Sequence, residues 1–269
     1  MRLASLAMYV SPPPVAEATR LLWAFLRDRL RVDGLAGVPE ELDGAVRYDA
    51  AWLHPDLLLA QTCGYPYIRH LRGKVRLVAT PVYGLPGCDG PSKCSFIVTH
   101  RDNPATTIEA LRGSRAAINE PDSNSGVNLF RTAIAPLARD GRFFAGVIET
   151  GGHAASVDAV AFGKADVASI DCVTYGNLRR FDPARVARVK ILAKTPKGPG
   201  LPLITRAAAS DAEISSLRRA LAAAIADPGL AAVRDTLSLT GFALLGDADY
   251  EPLAQMAEKA RQLGYPEIA

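Results

Sequence analysis

The run Ser123–Gly126 combines residue types and spacing that suit the binding of a small anion. It follows the apolar segment Ala116–Ile118 and precedes apolar residues at positions 127, 130, 134 and 137, a spacing typical of an amphipathic helix. Serine and asparagine are preferred caps of helices, and the first amides of a helix have no partner inside it and carry partial positive charge. The glycine leaves room for a ligand near the backbone. The pattern therefore predicts a strand, a turn and a helix that hold a tetrahedral anion, against the competing interpretation of an ordinary capped helix.

The elements that must position this run alternate between strand and helix patterns, which is typical of an α/β protein with a largely parallel sheet. Short apolar segments predict strands at Leu3–Met8 and Ala45–Tyr48, among others. The middle of the chain has the pattern of a small α/β domain of its own. We therefore predict lobe 1 from residues 1–98 and 195–269, with the C-terminal helices, and lobe 2 from the inserted residues 99–194. A cleft between the lobes, faced by strand carboxyl ends and helix amino ends, is the expected ligand site.

The composition is that of an ordinary soluble globular protein, since 49% of the 269 residues are hydrophobic and 22% are charged. A net charge of +3, without runs of Lys or Arg, argues against nucleic-acid or membrane binding. No apolar run has the length of a membrane span, and no secretory leader is recognised, so a cytoplasmic location competes with an exported one. The cysteines at 63, 88, 94 and 172 lack a zinc-binding spacing, and Cys88 and Cys94 either form a disulfide or are free thiols.

Six short motifs resemble those of the substrate-binding proteins of phosphate, phosphonate and phosphite ABC transporters. Their order and spacing make the resemblance specific, although each motif is weak alone, and it covers essentially the whole chain. The motifs are Ala7-Met8-Tyr9, Gln61–Pro66, Thr80–Tyr83 with Pro86-Gly87-Cys88, Ser123–Gly126, Gly151-Gly152-His153 with Ser156, and Ala165–Cys172. The resemblance implies the type II periplasmic binding protein fold, with two lobes, each a mostly parallel sheet flanked by helices, and a ligand cleft between them.

The resemblance also implies which residues bind the ligand. In this family a phosphoryl or phosphonyl group sits on the serine-rich helix start, which supplies hydroxyl and amide donors. Tyr9 and Tyr83 would add phenolic donors from lobe 1, and His153 a donor able to charge near an anion. Asp171 would accept a hydrogen bond from a protonated ligand oxygen or from an amine. The predicted ligand-binding residues are Tyr9, Gln61, Thr62, Tyr83, Ser123, Asn124, Ser125, Gly126, His153 and Asp171.

The function implied is the binding of phosphate, phosphite or a short alkyl or aminoalkyl phosphonate, as the substrate-binding component of an ABC transporter. We accordingly predict a transporter permease as the partner, a periplasmic location and a monomer. Neither catalytic residues, a metal nor a cofactor is predicted, and neither nucleic acid nor membrane insertion is expected.

Two other functions fit the same fold. A leaderless cytoplasmic enzyme, similar to the menaquinone-pathway enzymes that act on chorismate-derived carboxylates, would use His153 or Asp171 as a general base. A regulatory domain that senses an oxyanion would bind the ligand but no transporter. Without the resemblance, Tyr9 and Tyr83 fit equally well as packing residues, and the histidine and aspartate as helix-start residues. The chain also departs from the family where Lys93 replaces an expected aromatic, which changes either the pocket or only the surface.

Overall fold

A computed structural model describes residues 2–269, so Met1, with which the predicted lobe 1 begins, lies outside the described residues. In chain order the strands are β1 (Leu3–Ser5), β2 (Leu57–Gln61), β3 (Val75–Tyr83), β4 (Cys88–Asp89), β5 (Ser92–Lys93), β6 (Ser95–His100), β7 (Arg115–Ile118), β8 (Gly146–Glu149), β9 (Val167–Asp171), β10 (Val189–Lys194), β11 (Gly198–Pro199), β12 (Leu203–Arg206) and β13 (Leu239–Ala243). The α-helices are α1 (Pro13–Val32), α2 (Tyr48–Trp52), α3 (Gly64–Pro66), α4 (Leu129–Ile134), α5 (His153–Ala161), α6 (Cys172–Phe181), α7 (Pro183–Val186), α8 (Asp211–Ala226), α9 (Ala231–Leu237) and α10 (Asp247–Gln262). Short π-helical turns span Tyr67–Leu71 and Asn124–Asn128, and short 3-10 turns span Glu109–Leu111, Ala135–Leu137 and Pro228–Leu230. Within residues 2–269, no helix has both the length and the apolar character needed to cross a membrane.

The first compact unit contains the chain up to Gly84 together with Asp89–Pro91 and Gly200–Asp249. Its five-stranded sheet has the order β1-β2-β12-β3-β13. β1, β2 and β3 run in one direction, and β12 and β13 run against them. α1 packs against α8 and α9 and buries an apolar stripe that includes Trp23 and Leu26. The carboxyl ends of β1, β2 and β3 therefore lie at the same edge of this sheet.

The second compact unit contains Leu85–Cys88, Ser92–Pro199 and Tyr250–Ala269. Its five-stranded sheet has the order β10-β6-β9-β7-β8, in which β6 runs against the other four strands. The carboxyl ends of β7, β8 and β9 consequently meet at one edge. The main apolar core of this unit is formed by Ile97, Ala105, Leu111, Ala116, Val127, Phe130, Ile134, Ala135, Phe143, Phe144, Val167, Ala260, Tyr265 and Ile268.

The two sheets confirm the predicted α/β class and refine the prediction of mostly parallel strands. Three of the five strands share a direction in the first sheet and four of the five in the second. Most neighbouring strands in the first sheet are nevertheless antiparallel, because β12 lies between β2 and β3. The order of strands in a sheet depends on how the connections between them cross the sheet. The local apolar pattern of a strand does not indicate these connections.

The compact units differ from the predicted lobes mainly at the C-terminus, where Tyr250–Ala269 belongs to the second unit. Tyr265 is fully buried in the core of that unit. The carbonyl of Ala269 accepts the amide N–H groups of Phe143 and Phe144 at 2.7 and 2.9 Å. The C-terminal segment is therefore bound to this unit by both apolar and hydrogen-bond contacts. The second unit also takes in segments outside the predicted range 99–194, namely Leu85–Cys88, residues 92–98 and residues 195–199.

The predicted strand Ala45–Tyr48 is wrong, because this segment is a bend that leads into α2. The Asp43 carboxylate accepts the amide N–H groups of Ala45 at 3.0 Å and of Val46 at 2.7 Å. An aspartate that satisfies the following amides favours a turn over a strand. β1 is also shorter than predicted, since it ends at Ser5.

The cysteines of the described chain are free thiols, and the sulfur of Cys88 lies 3.6 Å from that of Cys172. Gly87, between them in space, has a φ of +96°, and a Cβ there would lie 2.7 Å from the Cβ of Cys172 and 3.1 Å from the sulfur of Cys94. Glycine is required at this position for both its conformation and its size. The three thiols thus form one cluster in the second unit.

Candidate functional site

The helix start predicted to hold an anion is present in the second unit, and its helical structure begins at Asn124. The π-helical turn continues into α4 without a break. Ser123 caps it, because its Oγ accepts the amide N–H of Gly126 at 3.0 Å and its carbonyl accepts that of Asn128 at 3.0 Å. Residues 124 and 125 lie in the first turn, where a helix supplies no acceptor for the amide N–H. These two N–H groups can therefore donate hydrogen bonds to an acceptor located at the helix end.

Asn124 is 1% exposed, and a chain of side-chain hydrogen bonds fixes its orientation. Its Oδ1 accepts a hydrogen bond from Asn128 Nδ2 at 3.2 Å, and Asn128 Oδ1 accepts one from Arg131 Nη2 at 2.8 Å. The other end of the Asn124 amide, Nδ2, has no hydrogen-bond partner among residues 2–269. Buried polar atoms almost always have a partner, so an orphaned donor at a helix start points to a ligand with acceptor oxygens.

Asn119, which follows β7, brings an acceptor to the same place. A Cβ built on Gly126 would overlap Asn119 Oδ1, and it would lie 3.3 Å from Cε1 of His153. Glycine is therefore the only residue small enough to fit between these two side chains without displacing one of them. Within the described chain, Asn119 Oδ1 also lacks a partner, so it can accept a hydrogen bond from a protonated ligand oxygen.

His153 is the first residue of α5 and contacts the helix start directly. Its Nε2 lies 2.9 Å from Ser125 Oγ. The carbonyl of Ser125 accepts a hydrogen bond from Ser169 Oγ, on β9, at 2.8 Å. Ser125 is thus held from two neighbouring elements, one on each side.

Burial lowers the pKa of His153 to about 3, with the positive charge of Lys93 as the second cause and the Ser169 carbonyl opposing both. At neutral pH the imidazole is therefore uncharged in the absence of a ligand. The sequence predicts a histidine that charges near an anion. In the absence of a ligand the structure opposes that charge, first through burial of the ring and second through the ammonium of Lys93.

Asp171 closes β9 and caps α6. One carboxylate oxygen, Oδ1, accepts the amide N–H groups of Val173 at 2.8 Å and Thr174 at 3.2 Å. The other, Oδ2, accepts a hydrogen bond from the ammonium of Lys93. The side chains of Asp171 and Lys93 are 2% and 4% exposed, so the pair is sealed from water. The competing interpretation of Asp171 as a helix cap is correct, and the chain itself supplies donors to both oxygens.

Three parallel strands explain why these residues meet. β8 and β9 both pair with β7 in parallel, so all three end at the same sheet edge. The Ser123–Gly126 run follows β7, His153 follows β8 and Asp171 ends β9. All the predicted ligand-binding residues of the second unit therefore lie at strand ends of this edge, and their contact with a ligand stays a prediction.

The predicted residues of the first unit likewise follow strands that share an edge, since Tyr9 comes after β1, Gln61 ends β2 and Tyr83 ends β3. The rings of Tyr9 and Tyr83 pack edge to face, with centroids 5.6 Å apart and planes at 88°. Both are half-buried. The structure thus pairs the two tyrosines, and their contribution to ligand binding stays a prediction.

Gln61 and Thr62 are buried and bond to the chain itself. Gln61 Nε2 donates to the carbonyl of Leu201 at 3.4 Å, and Thr62 Oγ1 donates to that of Cys63 at 3.4 Å. The Thr62 amide also donates to the carbonyl of Pro202 at 3.0 Å. These contacts fix the loop after β2, and a direct ligand contact from either residue stays a prediction.

Sequence reasoning missed four residues around the helix start, namely Asn119, Asn128 and Ser169, together with Lys93 as the partner of Asp171. The sequence positions of Asn119, Asn128 and Ser169 could have indicated that these residues lie near the helix start. Asn119 follows a strand, Asn128 stands four residues after Asn124 on one helix face, and Ser169 shares a strand face with Asp171. Nothing in the local sequence indicates that Lys93 is buried.

The fold is that of periplasmic binding proteins, because several solved structures are similar to nearly the whole chain. XAC2383 from Xanthomonas citri, solved bound to ATP, has a TM-score of 0.72 at 18% identity, covering 98% of this chain and 97% of its own. A binding protein component of a phosphonate ABC transporter from Pseudomonas aeruginosa has a TM-score of 0.78 at 18% identity, covering 98% and 87%. PhnD1 from Prochlorococcus marinus, solved with methylphosphonate, has a TM-score of 0.76 at 13% identity, covering 97% and 98%.

The family is shown by the sequence itself. The family described as the periplasmic substrate-binding protein of the phosphonate ABC transporter matches residues 54–250, which is more than half of the chain. The protein belongs to this family, as the resemblance predicts. The sequence matches no curated protein.

Proposed function

We propose that this protein binds a small phosphorus oxyanion, which is a short phosphonate, phosphite or phosphate, and delivers it to the permease of an ABC transporter. The family is one of transport components, and we infer binding without catalysis, in the periplasm. The observation that carries the proposal is the buried, unpartnered Nδ2 of Asn124 at a capped helix start. The amides of residues 124 and 125 and the hydroxyl of Ser125 supply further donors for the same anion.

The acceptor Asn119 Oδ1 indicates which protonation state the ligand has. A fully ionised oxygen beside an unpartnered carbonyl oxygen would be repelled, whereas a P–OH group would donate a hydrogen bond to it. Phosphate, phosphite and phosphonates carry such a group near neutral pH to differing extents, and sulfate does not. We therefore expect phosphorus oxyanions to bind in preference to sulfate.

A thermal-shift panel with isothermal titration calorimetry tests the proposal. A ligand at about a hundred times its Kd stabilises the folded state by about 2.7 kcal/mol. For a chain of this size the expected shift is on the order of 5–10 °C. We expect this shift with methylphosphonate, phosphite or phosphate and none with sulfate. Phosphorus NMR of the ligand recovered after incubation should show it unchanged, since turnover would contradict binding without catalysis.

Variants locate the site. Ser123→Ala combined with Ser125→Ala should weaken binding by about a hundredfold or more, because each hydrogen bond to a charged group contributes about 1.5–3 kcal/mol. Ser215→Ala, on the exposed face of α8, is the matched control and should bind normally. Unchanged affinity in the double variant would refute this site. Tyr9→Phe and Tyr83→Phe, measured alongside, test the predicted phenolic donors of the first unit.

A further inference from the structure

The ion pair between Lys93 and Asp171 has no exposed face. The two residues are 3% and 1% exposed. The carboxylate has four hydrogen-bond acceptor positions, of which the amides of Val173 and Thr174 take two and the Lys93 ammonium a third. A buried charge is tolerated only when it is paired, so each partner depends on the other.

The acidic member of this pair lies on β9, the strand that contacts the proposed anion site through the hydrogen bond from Ser169 to Ser125. Asp171 ends the strand that pairs with β7, and β7 leads into the Ser123–Gly126 run. The positive charge of Lys93 acts on His153, whose ring contacts Ser125 Oγ. Lys93 itself is held in β5, where it pairs with Gly198 of β11. The ammonium of Lys93 therefore acts electrostatically on His153, a residue that contacts the proposed anion site.

A ligand amine would need the carboxylate that Lys93 already occupies. To reach Asp171 it would have to displace the Lys93 ammonium, which is on a side chain that is only 4% exposed. Displacing the ammonium would break a buried ion pair, which is strongly unfavourable. An amine that did not displace it would face a fixed charge of the same sign.

We propose that Lys93 is a specificity residue of this protein: its ammonium takes the place of a ligand amine on Asp171, so the site selects phosphorus oxyanions that carry no amine and rejects aminoalkyl phosphonates. The inference rests on the proposed function and narrows it. It also replaces the expectation, drawn from the family resemblance, that Asp171 accepts a hydrogen bond from a ligand amine.

Two pairs of probes that differ only in the amine test the proposal by calorimetry near neutral pH. They are methylphosphonate with aminomethylphosphonate, and ethylphosphonate with 2-aminoethylphosphonate. In the native protein the amine-free member of a bound pair should bind at least about tenfold more tightly. Lys93→Met should reduce this ratio by at least about tenfold, because the ligand ammonium can then pair with Asp171. Lys93→Arg, which keeps the charge, should preserve the preference.

The outcomes separate this inference from the function on which it rests. Equal or tighter binding of the amine-bearing probe by the native protein overturns the inference and leaves the proposed function standing. Binding of neither pair, nor of phosphite or phosphate, overturns both. A folded Lys93→Met protein with an unchanged ratio also overturns the inference. The comparison in the native protein decides the question alone should that variant not fold.

Discussion

Replacing His153 with glutamine should change how the stability of the unliganded protein responds to pH. Burial first, and the charge of Lys93 second, lower the pKa of His153 to about 3 in the folded protein. In the unfolded chain a histidine titrates near about 6.5. Between these two values the unfolded state binds a proton that the folded state does not. Stability therefore rises with pH through this window, is complete above it, and is lost as the pH falls.

The magnitude follows from the width of the window. Each pH unit inside it is worth about 1.4 kcal/mol, so lowering the pH from about 7 to about 5 should remove about 2 kcal/mol of unfolding free energy through this residue. Glutamine does not titrate and retains a polar group near Ser125 Oγ. The variant should therefore be less stable at neutral pH by some constant amount, but should lose about 2 kcal/mol less than the native protein on acidification.

Urea unfolding at both pH values, in buffers free of phosphorus oxyanions and followed by circular dichroism, measures the difference. The denaturant slope of each protein must stay the same, because a changed slope would indicate a different unfolded state rather than a titration effect. Parallel losses of stability in the two proteins would refute the argument. They would mean that His153 is protonated as easily in the folded state as in the unfolded chain.

Three further predictions test separate parts of the structure. Gly126→Ala should weaken binding of methylphosphonate or phosphite by at least about tenfold in calorimetry, because the added Cβ overlaps Asn119 Oδ1. The melting temperature should change little, since the Asn119 side chain can move. An unchanged affinity would contradict the close fit of Gly126 against Asn119. Tyr265→Phe should lower the unfolding free energy by about 1–3 kcal/mol in urea titrations, because the hydroxyl of this fully buried residue makes hydrogen bonds with both the amide and the carbonyl of Ala269. An unchanged unfolding free energy would argue against the C-terminal segment as part of the second unit. Iodoacetamide should modify Cys88 before Cys172, as measured by peptide mass spectrometry. The hydrogen bond between the two sulfurs lowers the pKa of the half-buried Cys88 and raises the pKa of Cys172 to about 11. Faster labelling of Cys172 would refute this order.

The candidate anion site could be predicted largely from local sequence, because its parts obey local rules. A serine before a helix caps it, and apolar residues at helical spacing locate the helix behind it. Alternating strands and helices indicate parallel strands whose carboxyl ends meet, which is why residues far apart in sequence, such as Ser125 and His153, were expected together. Both of these expectations hold within the second unit.

The features that were not predicted depend on contacts between distant segments. The C-terminal segment joins the second unit through Tyr265, although its helical pattern alone fits either unit. The turn after Asp43 shows the opposite case, in which a single aspartate overrides a weak strand pattern.

Lys93 shows why motifs define a family more firmly than they define a ligand. The motifs that identify this family supply the amides and hydroxyls of the helix start and the aspartate at the end of β9. In the proposed specificity, however, the charge that the aspartate presents to a ligand is set by a side chain from β5 that belongs to none of these motifs. With a neutral or aromatic residue at 93, the same Asp171 would be a buried anion in need of a cation, and a ligand amine could supply it. With lysine there, the need is met within the chain, and an amine becomes a second cation with no partner. Two proteins with the same six motifs can therefore differ in ligand class through one residue outside them.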